Sequence, residues 1–84
     1  MAFYKVSISA HKKWFDHSKL KMVQEDIDKV YYVEEDSSFE ALIIADKLLI
    51  TAYGLVDICD AGVTEMAKDE IPSHIRCYTK ADAL

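Results

Sequence analysis

The sequence predicts an α+β domain in which one main helix packs on one face of a small antiparallel sheet of about four strands. Two observations lead to this prediction. Residues 3–10 alternate apolar and polar side chains with the period of two that is typical of a half-buried strand. Residues 37–54 contain a helix-start signal, a long apolar stretch and a glycine at the expected helix end. We expect a single domain over residues 1–84 with the element order ββαββ.

The first two strands are predicted from alternation and side-chain type. Within residues 3–10, Tyr4, Val6 and Ile8 fall on one face and are expected to point into the core. Residues 30–33, VYYV, are β-branched or aromatic and suit a pleated surface with one buried side. We therefore predict two half-buried strands before the helix.

Residues 11–28 have two interpretations. Their mixed period and their lysines and aromatic residues favour a long hairpin, in which residues 12–15 and 20–23 are the outer strand ends around a turn at 16–19. This arrangement makes the first two strands antiparallel neighbours. The mostly acidic segment 25–28, EDID, would then form a bulge or a turn. The alternative is a helix capped by a serine, because Leu20, Val23 and Ile27 keep a helical spacing after Ser18.

The main helix has clear start and stop signals. Ser37 and Glu40 form the S-x-x-E pattern of a capping box, and Gly54 follows the apolar stretch as a helix stop. Ile44 lies on a flank outside the predicted core face. Six residues share that core face at 100° per residue: Ala41, Leu42, Ala45, Leu48, Leu49 and Ala52.

A second apolar stripe lies on the same helix, formed by Phe39, Ile43 and Ile50. A helix that is apolar nearly all round requires burial on two sides. In one interpretation, Trp14 and Phe15 from the preceding segment cover this stripe. In the other, the stripe is a partner or homodimer interface.

The remaining chain is predicted to return to the sheet. Residues 55–60 alternate and predict a third strand, which we expect residues 61–62 to break. Residues 64–71 have the composition of two helical turns that end before Pro72. Residues 74–80 alternate again and predict a fourth strand at a sheet edge.

The charge is distributed unevenly along the chain, with a basic first part and an acidic remainder. The formal net charge of −5 combines a balance of +4 over residues 1–21 with a balance of −9 over residues 22–84. The opening residues lack the basic start and long apolar core of a secretory signal, and no apolar run approaches the length of a membrane span. With two cysteines, this composition favours a cytoplasmic protein with reduced thiols.

Three segments resemble small phage and prophage-associated proteins of unknown function: the strand FYKVSISA, the junction VYYVEEDSSFEALIIA and the return GLVDI. The similarity covers residues 3–60 and departs from the pattern in the long insertion at 11–28 and in Asp36, where a small residue is usual. The resemblance implies a small α+β accessory protein and transfers no functional residues. The matching positions are Val33, Ser37, Glu40 and Ala41.

No spacing in the sequence predicts a catalytic, metal or cofactor site. The candidate soft ligands have no C-x-x-C or H-x-x-x-H pattern, and we expect the two cysteines to be core thiols. The acidic run at 34–36 has the chemistry to chelate a cation or to act as an acid and base, but we favour its interpretation as a solvated turn with helix-start charges. The soft ligands are His11, His17, Cys59, His74 and Cys77.

The acidic balance predicts a non-enzymatic interaction protein that binds and modulates a host macromolecule and inhibits it by occupying a basic site. The resemblance implies that it is phage- or mobile-element-encoded. The predicted contact residues are Glu25, Asp26, Asp28, Glu34, Glu35 and Asp36. The alternative is a small nucleic-acid-binding protein that uses lysines for phosphates and an aromatic ring for a base. Its residues are Lys12, Lys13, Trp14, Lys19 and Lys21.

Overall fold

The computed structural model describes residues 1–83. Three strands and one α-helix form its main body, and two short 3-10 helices follow at Lys68–Glu70 and Lys80–Ala83. Within the described residues, no helix combines the length and apolarity that crossing a membrane requires. The main elements are β1 (Ala2–Asp16), β2 (Lys21–Glu35), α1 (Ser38–Tyr53) and β3 (Asp57–Met66).

The strands form one antiparallel sheet in the order β2-β1-β3, so β1 is the central strand. β1 and β2 pair over their whole lengths, from Ala2 opposite Glu35 to Asp16 opposite Lys21. This long hairpin confirms the favoured interpretation of residues 11–28 and excludes the helix. Its turn is closed by Asp16, whose Oδ1 accepts hydrogen bonds from the backbone N–H and the hydroxyl of Ser18 at 3.0 and 2.6 Å.

The predicted bulge or turn at residues 25–28 was wrong, because β2 runs through this segment without interruption. Ile27 is buried opposite Ala10, and the acidic residues on either side of it point away from the core. A complete backbone ladder with β1 satisfies the amides and carbonyls of this segment, and this outweighs the low strand propensity of its acidic side chains.

The C-terminal third differs most from the prediction. β3 continues through residues 61–62 to Met66, because Gly62 takes its place in the ladder opposite Ser7, so the predicted break and the helix at 64–71 were wrong. The predicted fourth strand at 74–80 was also wrong within the described part of the chain. Only Tyr78 pairs with β2, through hydrogen bonds of 2.7 Å to the Tyr32 carbonyl and 2.9 Å from the Glu34 amide.

The helix begins and ends as predicted. The Ser37 hydroxyl accepts a hydrogen bond from the Glu40 amide at 3.2 Å. Gly54, at a φ of 80° that favours glycine, donates its N–H to the Ile50 carbonyl at 2.7 Å. Two cap signals thus define α1 at both ends.

The core lies between α1 and the sheet, and the predicted inward residues Tyr4, Val6 and Ile8 are all buried in it. On the helix, the buried side is rotated from the predicted core face: Ile44 is buried, whereas Ala52 is exposed. Ile44 borders the predicted face, and burying it removes a large apolar side chain from water, whereas Ala52 lies in the last turn of α1. The full buried apolar set is Tyr4, Val6, Ile8, Ala10, Ile27, Val33, Ala41, Ile44, Ala45 and Leu49.

The second apolar stripe of α1 stays exposed. Phe39 is 71% exposed, and Ile43 and Ile50 are 39% exposed each. The hairpin extends along the long axis of a molecule of 49 × 23 × 22 Å, and its residues Trp14 and Phe15 are themselves 40% and 45% exposed. The interpretation in which these two aromatic residues bury the stripe was therefore wrong.

Candidate functional site: the open acidic face of the sheet

The sheet has two unlike faces. α1 covers one, and within residues 1–83 the other has no helix against it, so we refer to it as the open face. Side chains alternate along a strand, so the odd-numbered residues of β1 and the even-numbered residues of β2 share the open face. Its middle row is Val30, Ser7 and Gly62, and a Cβ at Gly62 would meet nothing within 4 Å. The centre of the face is accordingly flat and accessible.

Carboxylates surround the next two positions of β1 on this face. Ser9 lies between an aspartate of β2 and one of β3, and so does His11. The Ser9 hydroxyl donates a hydrogen bond of 2.8 Å to Oδ1 of Asp28, which holds that carboxylate on the face. We call these four aspartates the acidic patch: Asp26, Asp28, Asp57 and Asp60.

The structure separates the acidic residues predicted as one contact surface. Glu34 shares the open face, since it lies opposite Phe3 at the far end of β2 from the patch. Glu25 lies on the opposite side of the hairpin, and Asp36 is exposed at the start of α1. Glu35 is only 5% exposed, so it cannot be a surface contact. Two contributors from β3, Asp57 and Asp60, were missed because strand pairing, not sequence distance, brings them here.

A separate carboxylate cluster lies beside the start of α1. Oxygen atoms of Glu35, Asp36 and Glu40 lie within 4.8 Å of one another, and Oε1 of Glu35 accepts a hydrogen bond of 3.0 Å from the Asp36 amide. A hydrogen bond with Glu35, followed by the charge of Glu35, raises the pKa of Glu40. Lys47 and Lys80 line the same depression, of about 230 Å³, and offset part of its negative charge.

A histidine, a cysteine and an aspartate meet on the open face. Nδ1 of His11 lies 2.9 Å from Sγ of Cys59, and Nε2 of His11 lies 3.3 Å from Oδ2 of Asp57. The β1–β3 register shifts between Ser9 and Ala10, and Cys59 is the extra residue of the resulting bulge. Cys59 is exposed, so the expectation that it is a core thiol was wrong. No local motif could have revealed this group, because His11 and Cys59 are 48 residues apart.

The basic and aromatic residues of the alternative prediction gather at the outer end of the hairpin. Lys13, Lys19 and Lys21 are exposed there, and Lys21 shares the hairpin face of Trp14, whereas Lys13 lies on the open face. Lys12 is not free, because its Nζ donates a hydrogen bond of 3.0 Å to the Tyr53 carbonyl. The structure therefore offers three lysines and one indole at this end, next to the acidic patch on the body of the sheet.

No protein-family model, curated protein or solved structure matches this chain. The functional assignment accordingly rests on the geometry and the charge of the open face.

Proposed function

We propose that this chain is a non-enzymatic interaction protein whose open face binds a protein with a basic surface. The observation that carries the proposal is the acidic patch on a flat sheet face that no helix covers among the described residues. A concentrated single-sign charge steers an oppositely charged partner and fixes its orientation. The small residues Ser7, Ser9 and Gly62 allow the partner's lysines or arginines to approach the backbone of the sheet.

The consequence for the partner follows from the same charge. A basic protein surface that normally contacts nucleic acid carries the charge pattern that the acidic patch complements. Occupying such a surface would inhibit it, which is the form of modulation that we propose. A phage or mobile-element origin is part of this proposal and is supported by the sequence resemblance over residues 3–60.

The test is charge reversal at two exposed patch residues, Asp26→Lys with Asp28→Lys. The matched control is Glu25→Lys with Glu65→Lys, which makes the same change in net charge at exposed residues on the other side of the sheet. Wild type and both variants are used to capture partners for mass spectrometry, and the affinity for the purified partner is then measured at two salt concentrations.

We expect the patch variant to lose affinity by at least about tenfold, with the wild-type affinity falling as salt rises, whereas the control changes by less than about threefold. If the patch variant binds the captured partner as tightly as the wild type, the acidic patch is not the contact and the proposal fails.

The hairpin end supports a second candidate function, binding of single-stranded nucleic acid. The specific observation is that Lys13, Lys19 and Lys21 are exposed at the same end of the hairpin as the indole of Trp14, which is 40% exposed. Lysines would contact phosphates and the indole would stack on a base. Because Trp14 is the only tryptophan, its fluorescence reports such stacking directly. Quenching by oligonucleotides that weakens with salt supports this candidate, and unchanged fluorescence at low salt excludes it.

A further inference from the structure

We propose that Cys59 is a nucleophilic thiol, with His11 as its base, and that it forms mixed disulfides with small disulfide molecules. This proposal does not depend on the protein-binding role of the open face. It rests on the three side chains that the β3 bulge brings together.

The geometry matches what a nucleophile and its base require. A thiol acts as a nucleophile after it loses its proton, and a histidine nitrogen within hydrogen-bond distance accepts that proton. Nδ1 of His11 lies 2.9 Å from the Cys59 sulfur. Bulges reorient a side chain from its regular strand position, and here the bulge turns the cysteine toward the histidine of the neighbouring strand.

Asp57 has the position of the residue that orients the base. Its Oδ2 lies 3.3 Å from Nε2 of His11, the nitrogen that faces away from the sulfur. A carboxylate can only accept a hydrogen bond, so it favours the tautomer with the proton on Nε2. This tautomer leaves the Nδ1 lone pair free to take the thiol proton.

The charged groups around this site come from both neighbouring strands. Asp26 of β2 lies opposite His11, and Asp57 and Asp60 flank Cys59 on β3. Their negative charges oppose the approach of anionic reagents. A neutral disulfide is therefore the appropriate probe, because its approach depends least on the acidic patch.

The reaction is balanced without any further reagent. The Cys59 thiolate attacks one sulfur of the disulfide, a new S–S bond forms, and the old S–S bond breaks. The released thiolate takes the proton that His11 had accepted, so one protein thiol and one disulfide give one mixed disulfide and one small thiol. The cysteine is oxidised and the leaving half of the disulfide is reduced.

Cys77 is an internal control for this reactivity. Its side chain is partly buried, and burial, with a smaller effect of the Glu34 charge, raises the pKa of its thiol. The positive charge of Lys68 acts in the opposite direction and has the smallest effect of the three on this pKa. One exposed cysteine with a histidine contact and one partly buried cysteine in the same chain allow their rates to be compared in the same sample.

The experiment treats the full chain with bis(2-hydroxyethyl) disulfide at pH 7 and follows each cysteine by peptide mass spectrometry. The variants are Cys77→Ser, which isolates Cys59, and His11→Gln and Asp57→Asn in that background, with circular dichroism to confirm folding. We expect Cys59 to react at least about tenfold faster than Cys77, and His11→Gln to slow Cys59 by about tenfold. Asp57→Asn should slow it less.

A pH series separates a chemical role of His11 from a structural one. Above about pH 9 a free thiol ionises without a base, so the rates of the Cys77→Ser protein and its His11→Gln derivative should converge. Equal rates for Cys59 and Cys77 at pH 7 would overturn the proposal. An unchanged rate of Cys59 in the His11→Gln variant would also overturn it. The same holds if that variant reacts more slowly by the same factor at pH 7 and at high pH.

Discussion

Lys12 of β1 donates a hydrogen bond of 3.0 Å from its Nζ to the carbonyl oxygen of Tyr53 at the C-terminal end of α1. The last turn of α1 contains no basic residue of its own, so this end of the helix dipole receives its positive charge from the sheet. Lys29 of β2 adds a second cation, since its Nζ lies 5.5 Å from the centroid of the Tyr53 ring. The hairpin and the helix are therefore joined electrostatically as well as through the core.

The first prediction follows from this contact. Lys12→Met should lower the free energy of unfolding by about 1 kcal/mol, because it removes a charged hydrogen bond and a cation at the helix C-terminus while it keeps the apolar stem. Lys13→Met is the matched control, as its side chain is exposed on the open face. Urea denaturation measures both. Equal stability of the two variants would show that the contact contributes nothing.

The helix start provides the second prediction. Ser37→Ala should lower the free energy of unfolding by about 1 kcal/mol, since the Glu40 amide loses its 3.2 Å hydrogen bond to the serine hydroxyl. Ser38→Ala changes the same side chain one position later, inside the helix, and should leave stability within about 0.5 kcal/mol of the wild type. Thermal and urea unfolding distinguish the two. A neutral Ser37→Ala would contradict the assignment of the cap.

The third prediction concerns how the contact between Glu35 and Glu40 makes the free energy of unfolding depend on pH. The folded-state pKa of Glu40 is raised above its ordinary value of 4.5, so the folded protein binds this proton more tightly than the unfolded chain does. The resulting stabilisation is fully present below pH 4.5 and is lost as the pH rises through the folded-state value. Glu40→Gln should therefore increase stability at pH 7 relative to the wild type.

The measurement for Glu40 is the free energy of unfolding from pH 3.5 to 8 in urea. Glu25→Gln, ten residues before Glu35 on the same strand, is the control for a general change in net charge. The difference in stability between Glu40→Gln and the wild type should grow from acid to neutral pH. The contact with Glu35 is excluded as the cause if this difference in the free energy of unfolding is the same at every pH. It is also excluded if Glu25→Gln shows the same pH-dependent difference.

The local parts of the fold were predictable from the sequence because each has a local cause. Ser37 and Gly54 define α1, and the alternation around Val6 defines the first strand. The bulge at Cys59 has no such cause, because it depends on how β3 pairs with β1. The acidic patch was half predictable for the same reason: Asp26 and Asp28 lie in one acidic run, and strand pairing adds the two aspartates of β3.

The C-terminal third was poorly predicted because its residues are mostly exposed and have weak patterns. Only Val63 and Met66 of β3 are even partly buried, so the hydrophobic period that identifies a strand is nearly missing. Gly62 looked like a break, yet backbone hydrogen bonds to β1 hold it within the ladder. An edge strand of this kind is determined by its partner strand more than by its own side chains.

The last prediction concerns the apolar stripe Phe39, Ile43 and Ile50, which remains exposed on α1. We predict that it mediates self-association, because burying three large apolar side chains between two copies removes from water the surface that this chain leaves uncovered. Sedimentation velocity should show a concentration-dependent dimer in the wild type and a monomer in Ile43→Glu. Thr64→Glu, at an exposed residue of β3 on the open face, makes the same change in charge away from α1; it is the control and should still associate. A wild type that stays monomeric at high concentration would contradict an apolar dimer interface. A control variant that is monomeric like Ile43→Glu would also contradict it, because added charge alone would then explain the loss of the dimer.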